Sequence, residues 1–250
     1  NLASYGIGQP DFKRSPLALE TKTSGYTPAC GTNDARAKVI KFFKHQITEI
    51  ADFIEPKDAI ITPGGTAALF LAIYSLIDPG KKVAFIDPVF SAQPPVVNGL
   101  GGVSLHIKTT IEEGLRLTPE KLRSFLQENP DTKLLVFNNP CNPTGVQYSR
   151  CELEELGKVI HEFPNLIVFS DETYRDLSEN PISLLNACPY LHTQVITQRS
   201  TSKDFVGEPG IRGAFMLMPT SKLTNQKGQK IEYATAINAA ILQTITSSST

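Results

Sequence analysis

Asp58-Ala59-Ile60-Ile61-Thr62-Pro63-Gly64-Gly65-Thr66-Ala67-Ala68-Leu69-Phe70-Leu71-Ala72-Ile73-Tyr74-Ser75-Leu76 decides the fold class. Ala59 to Thr62 is a short apolar, β-branched run and predicts a strand. Gly64-Gly65 breaks the chain, and the apolar segment from Thr66 to about Leu76 predicts a helix. The same alternation continues to Met218. Strands are expected at Val83–Ile86, Val103–Ile107, Leu134–Phe137, Leu166–Phe169 and Val195–Ile196. Thr118-Pro119-Glu120 marks a helix start by its N-cap and N1 proline. Ser149-x-x-Glu152 is a capping-box pattern for a helix running to about His161. Strands and helices in this order predict an α/β fold, a mainly parallel sheet with helices on both faces. Ligands of such sheets bind at the carboxyl ends of the strands.

Composition narrows the function. The chain has 250 residues, with 24 basic and 25 acidic side chains mixed along it. No basic block matches a phosphate backbone, so nucleic-acid binding is not expected. Apolar stretches such as Ala67 to Leu76 are too short to span a bilayer. No signal-peptide pattern follows Asn1. Cys30, Cys141, Cys151 and Cys188 are irregularly spaced, as are His45, His106, His161 and His192. Neither set has metal-ligand spacing, so no metal is expected, and free thiols suit a cytoplasmic protein.

Three later segments carry chemistry. They are Asn139-Pro140-Cys141-Asn142-Pro143-Thr144-Gly145, then Asp171-Glu172-Thr173-Tyr174, then Ser200-Thr201-Ser202-Lys203 with Arg212 beyond. Each follows an expected strand, which directs all three to one crevice. An amide able to bond a phenolate oxygen precedes a carboxylate able to hold a pyridinium, and a phenol able to bond the same oxygen follows three residues on. Last comes an amine able to form an imine. That inventory suits pyridoxal 5′-phosphate. Each residue also has a plainer reading: Lys203 as a surface lysine, Asp171 as a loop acid, Asn142 as turn chemistry.

In order and spacing these segments resemble the class I/II aminotransferases, the family built on the aspartate-aminotransferase fold (fold type I). The resemblance runs from the Gly8 segment, Gly6-Ile7-Gly8-Gln9-Pro10-Asp11-Phe12, to Met218. It implies that Lys203 forms the Schiff base with the cofactor and, once freed, carries the proton of the reaction. It implies that Asp171 pairs with the ring nitrogen, and that Tyr174 and Asn142 bond the 3-oxygen. Gly65 and Thr66, with Ser200, Ser202 and Arg212, would hold the phosphate. Phe90 would stack on the ring, or serve the core. Tyr26 would reach a neighbouring subunit's phosphate in a homodimer with shared sites, or simply occupy a turn. Gly8 would close over substrate, beside Asn142. The interval from Lys203 to Arg212 is one residue longer than in most of the family.

The expected function is transfer of an amino group between an L-α-amino acid and a 2-oxo acid. Other chemistries of the scaffold are the alternative: a carbon–sulfur lyase, a cyclopropane-forming synthase or a decarboxylase. A non-catalytic cofactor-binding module is the third reading. Residues 1–30 are expected to form an arm and residues 31–250 the large cofactor-binding domain. The family's smaller C-terminal domain, with the arginine that clamps the substrate carboxylate, is expected to be missing, since no arginine follows Arg212.

Overall fold

The computed structural model describes residues 28–203, 207–224 and 228–246. Gly8 and Tyr26 lie outside the described residues, as does most of the proposed arm.

Nine strands and seven helices are described. The strands are β1 (Ala59–Thr62), β2 (Lys82–Asp87), β3 (Val103–Lys108), β4 (Thr132–Asn138), β5 (Ile167–Asp171), β6 (Val195–Ser200), β7 (Ala214–Leu217), β8 (Lys222–Thr224) and β9 (Lys230–Glu232). The helices are α1 (Asn33–Gln46), α2 (Gly65–Leu76), α3 (Pro94–Gly99), α4 (Pro119–Glu128), α5 (Arg150–Glu162), α6 (Leu184–Ala187) and α7 (Tyr233–Thr246). The first seven strands form one sheet in the order β1-β7-β6-β5-β4-β2-β3, and β8–β9 is a separate hairpin. From β6 to β3 every pairing is parallel, whereas β7 runs antiparallel to both β6 and β1.

Alternation along the central strands fills both faces. Leu135 and Phe137 of β4 point to one core with Leu153, Leu156 and Ile160 of α5. Leu134 and Val136 point to the other, with Leu69, Ala72 and Ile73 of α2. A strand buried on both sides therefore reads as a continuous apolar run, as Leu134 to Phe137 does. Helix starts follow their caps. Thr118 Oγ1 accepts from the Lys121 amide at the head of α4. Ser149 and Glu152 exchange both capping-box bonds at the head of α5.

β7 lies beyond the strands expected from the sequence, and it positions the site. Ala214 pairs with Ser200 on one side and with Thr62 on the other. The connection from β6 to β7 therefore leaves and re-enters the sheet at one end. Lys203 and Arg212 both sit on that connection, beside the β1–α2 turn.

Candidate active site

At the carboxyl ends of β5 and β6 lies a cavity of about 270 Å³. Gly65, Thr66, Phe90, Asn142, Asp171, Tyr174, Ser200, Ser202, Lys203 and Arg212 all line it, so every sequence-predicted site residue within the described set converges there.

Asp171 ends β5, on the face that also carries Phe169. Its Oδ1 accepts from the Thr173 amide at 3.2 Å and from Thr173 Oγ1 at 2.7 Å, and Oδ2 accepts from Gln93 Nε2 at 2.9 Å. Burial pushes its pKa up, against these hydrogen bonds, which pull it down. The carboxylate makes no ion pair among the described residues, so its charge is left for the cavity.

Lys203 faces the same space, and burial lowers its pKa below the ordinary lysine value. Loss of solvation favours the neutral amine, the form that attacks a carbonyl.

The proline-framed loop is strapped to the end of β5. The Asn139 amide and Asn138 Nδ2 donate to the Asp171 carbonyl at 3.1 and 2.9 Å, and the Asn142 amide donates to Asn138 Oδ1 at 2.7 Å. These bonds set Asn142 Nδ2 3.1 Å from the Tyr174 hydroxyl. Burial raises the Tyr174 pKa, with the Asp171 charge adding to it. An amide and a neutral phenol thus meet at one point, two donors suited to an oxyanion.

The turn from β1 to α2 forms the opposite wall. Gly64 adopts φ +101°, and a Cβ built there would lie 2.5 Å from Arg212 Nη2. A Cβ on Gly65 would meet Gln198 Nε2 at 3.0 Å. The Arg212 guanidinium therefore packs directly on the glycine turn, held by Nη1 donating to the Pro209 carbonyl at 3.1 Å. Arg212 itself takes the left-handed conformation, φ 57°. Bare backbone amides, the helix N-terminus, Thr66 and a guanidinium together make a cradle for a phosphate.

Sequence reasoning missed Gln93, Asn138, Thr173 and Gln198. Gln93, Asn138 and Gln198 belong to no spacing pattern. Thr173 lies inside Asp171-Glu172-Thr173-Tyr174, where an Asp-x-Thr pair signals a side chain bonding its neighbour two residues on. Among the described residues no cluster of histidine, cysteine and acidic groups is arranged to hold a metal. No helix there is long and apolar enough to cross a membrane.

The family profile "Aminotransferase class I and II" matches residues 9–250. An aspartate/prephenate aminotransferase of Nitrosomonas europaea is 29% identical over 216 residues, 82% of this chain and 53% of that protein. An aspartate aminotransferase of Sulfolobus acidocaldarius is 35% identical over 182 residues, 69% of this chain and 44% of that protein. The solved aspartate aminotransferase of Thermus thermophilus with maleate superposes with a TM-score of 0.74 at 26% identity, covering 88% of this chain and 53% of that one. The chain thus spans about half the length of the curated relatives it matches. With a profile matched along nearly its whole length, this chain belongs to the class I and II aminotransferases.

Proposed function

We propose that this chain binds pyridoxal 5′-phosphate and serves an aminotransferase that moves an amino group between an L-α-amino acid and a 2-oxo acid. The observation that carries the reading is convergence: a desolvated amine, an unpaired carboxylate, an amide–phenol pair and an anion cradle face one cavity. The glycine cradle fits the phosphate group, because any side chain at Gly64 would take the space in front of Arg212.

When bound, the cofactor supplies an electron sink for the carbanion left after proton loss from an amino acid. Lys203 Nζ would hold it covalently and, once released, move a proton between the substrate α-carbon and C4′. Asp171 would hold the proton on the ring nitrogen. Asn142 and Tyr174 would bond the 3-oxygen. Gly65, Thr66, Ser200, Ser202 and Arg212 would bind the phosphate, and Phe90 would cover a ring face. Residues 31–250 would act as the cofactor-binding domain, and residues 1–30 as an arm carrying Gly8 and Tyr26 toward substrate and a partner subunit of a cytoplasmic homodimer. Aspartate is the first donor to test, because several relatives carry it in their names.

Reconstitution with the cofactor should give a visible band that bleaches with an amino acid and returns with a 2-oxo acid. Release of ammonia, thiol or carbon dioxide instead would assign another chemistry of the scaffold, and an unreactive band would assign a binding module. Lys203→Ala should abolish covalent attachment and slow amino transfer by about 10³-fold or more. Reduction with borohydride followed by peptide mapping checks the attachment point.

A further inference from the structure

Beneath the cavity, Thr173 Oγ1 lies 2.7 Å from Asp171 Oδ1 and 3.1 Å from Gln198 Oε1. A hydroxyl has one hydrogen to donate. Donated to Asp171, it leaves Gln198 Oε1 facing an oxygen. Gln198 is fully buried in β6, and its Nε2 has no partner. Both conflicts vanish when the amide is turned half a revolution. Nε2 then donates to Thr173 Oγ1, which keeps its hydrogen for Asp171. The amide oxygen then faces Gly65, at the N-terminus of α2, where the first backbone N–H groups lack intrahelical acceptors.

We infer that Gln198 is a positioning residue, working through Thr173 as a neutral relay that, with Gln93 on the other oxygen, keeps Asp171 a carboxylate aimed into the cavity. The relay rests on the cofactor reading proposed above and deepens it. A proton shared between a carboxylate and a ring nitrogen stays on the nitrogen only if the carboxylate is the weaker base. Every hydrogen bond donated to the carboxylate weakens it as a base. An arginine or lysine in place of Gln198 would do so more strongly, but would neutralise the charge the cavity presents. Amides lower basicity and leave the negative charge unspent. The chain Gln198–Thr173–Asp171 also polarises each bond by the next. Sequence separation hides it: Gln198 and Thr173 lie 25 residues apart, and Gln93 and Asp171 lie 78 apart.

The test uses the full-length protein and three variants, Gln198→Met, Gln93→Met and Thr173→Ser. The two methionine variants should each weaken cofactor binding by about tenfold: Gln93→Met removes a hydrogen bond to the Asp171 charge, and Gln198→Met the bond that holds the Thr173 hydroxyl on that charge. In the reconstituted protein the ¹⁵N shift of a labelled ring nitrogen should move from pyridinium toward neutral pyridine. Thr173→Ser keeps the hydroxyl and should keep both values. A Gln198→Met protein that folds, binds cofactor as the wild type does and leaves the ring-nitrogen shift in place overturns the relay. A wild type that takes up no cofactor overturns the functional reading instead. The relay is then read in the cofactor-free protein from the ¹³C carboxyl titration of Asp171, which Gln198→Met should move to higher pH and which an unmoved curve would refute. Should Gln198→Met fail to fold, Thr173→Val, which removes the hydroxyl through which Gln198 acts, carries the same measurements: both values should move as expected for Gln198→Met, and unmoved values overturn the relay.

Discussion

A carboxylate and an amine that face one cavity titrate in opposite directions when burial dominates both. The Asp171 pKa is raised and the Lys203 pKa lowered, each chiefly by desolvation. For Asp171 the folded value exceeds the unfolded 3.8. Its favourable contribution is therefore complete below that pH and lost as pH rises through the folded value. Asp171→Asn should then stabilise the cofactor-free protein at pH 7 by about 1 kcal/mol, a gain that fades below about pH 4. Cofactor affinity should fall in the same variant. Thermal melts across pH, with and without cofactor, check both halves. Gly64→Ala tests the cradle. Its φ of +101° strains any L-residue, costing about 1–2 kcal/mol, and the new methyl displaces Arg212 Nη2. We expect weaker cofactor binding by equilibrium dialysis, beyond the loss in stability seen by melting. At this scale residues that line the cavity were legible where, like Asn142, Asp171, Lys203 and Arg212, they sit in short motifs of unusual composition. Their supports were not: Gln93 and Gln198 are single amides in segments with no pattern.

Among the elements, α5 shows how packing overrides propensity. Gly157 lies inside that helix, where alanine is ordinarily better by about 1 kcal/mol. Here a Cβ would fall 2.2 Å from Cys188 Sγ and 3.0 Å from the Tyr190 hydroxyl. Overpacking of this kind costs about 1–3 kcal/mol, so Gly157→Ala should lose stability in urea melts rather than gain it. Adding Cys188→Ala should recover part of the loss. The capping signals at Thr118 and Ser149 were readable because a cap is a contact over three residues. The strands from β1 to β6 were readable from their apolar runs, though β6 extends to Ser200, past its apolar part. There Thr197, Gln198, Arg199 and Ser200 are buried but polar, so hydropathy stops short of the strand end that bears on the site.

On the scale of the whole molecule, the face of the sheet opposite the cavity is tied together by buried charge. Arg199, fully buried in β6, pairs with Asp176 and lies over the Phe42 ring of α1 at 5.3 Å. Arg175 reaches Gln46 of α1 at 2.7 Å and stands 3.9 Å from Glu172. Glu172 and Arg199 directly adjoin Asp171 and Ser200, so this network braces from behind the strand ends that carry the cavity. Arg199→Met would break the pair with Asp176 and leave Arg175 alone to face both Asp176 and Glu172, and should cost about 3 kcal/mol by chemical denaturation. The succession of elements and the order of the reactive motifs were written along the chain, because strand runs, caps and turn glycines act over a few neighbours. Folding in three dimensions alone chose to insert β7 antiparallel between β1 and β6, and so to bring Arg212 against the glycine turn and Lys203 to the same cavity. It alone gathered Gln93 and Gln198 around Asp171 and Thr173, since contacts between residues tens of positions apart leave no local spacing to read.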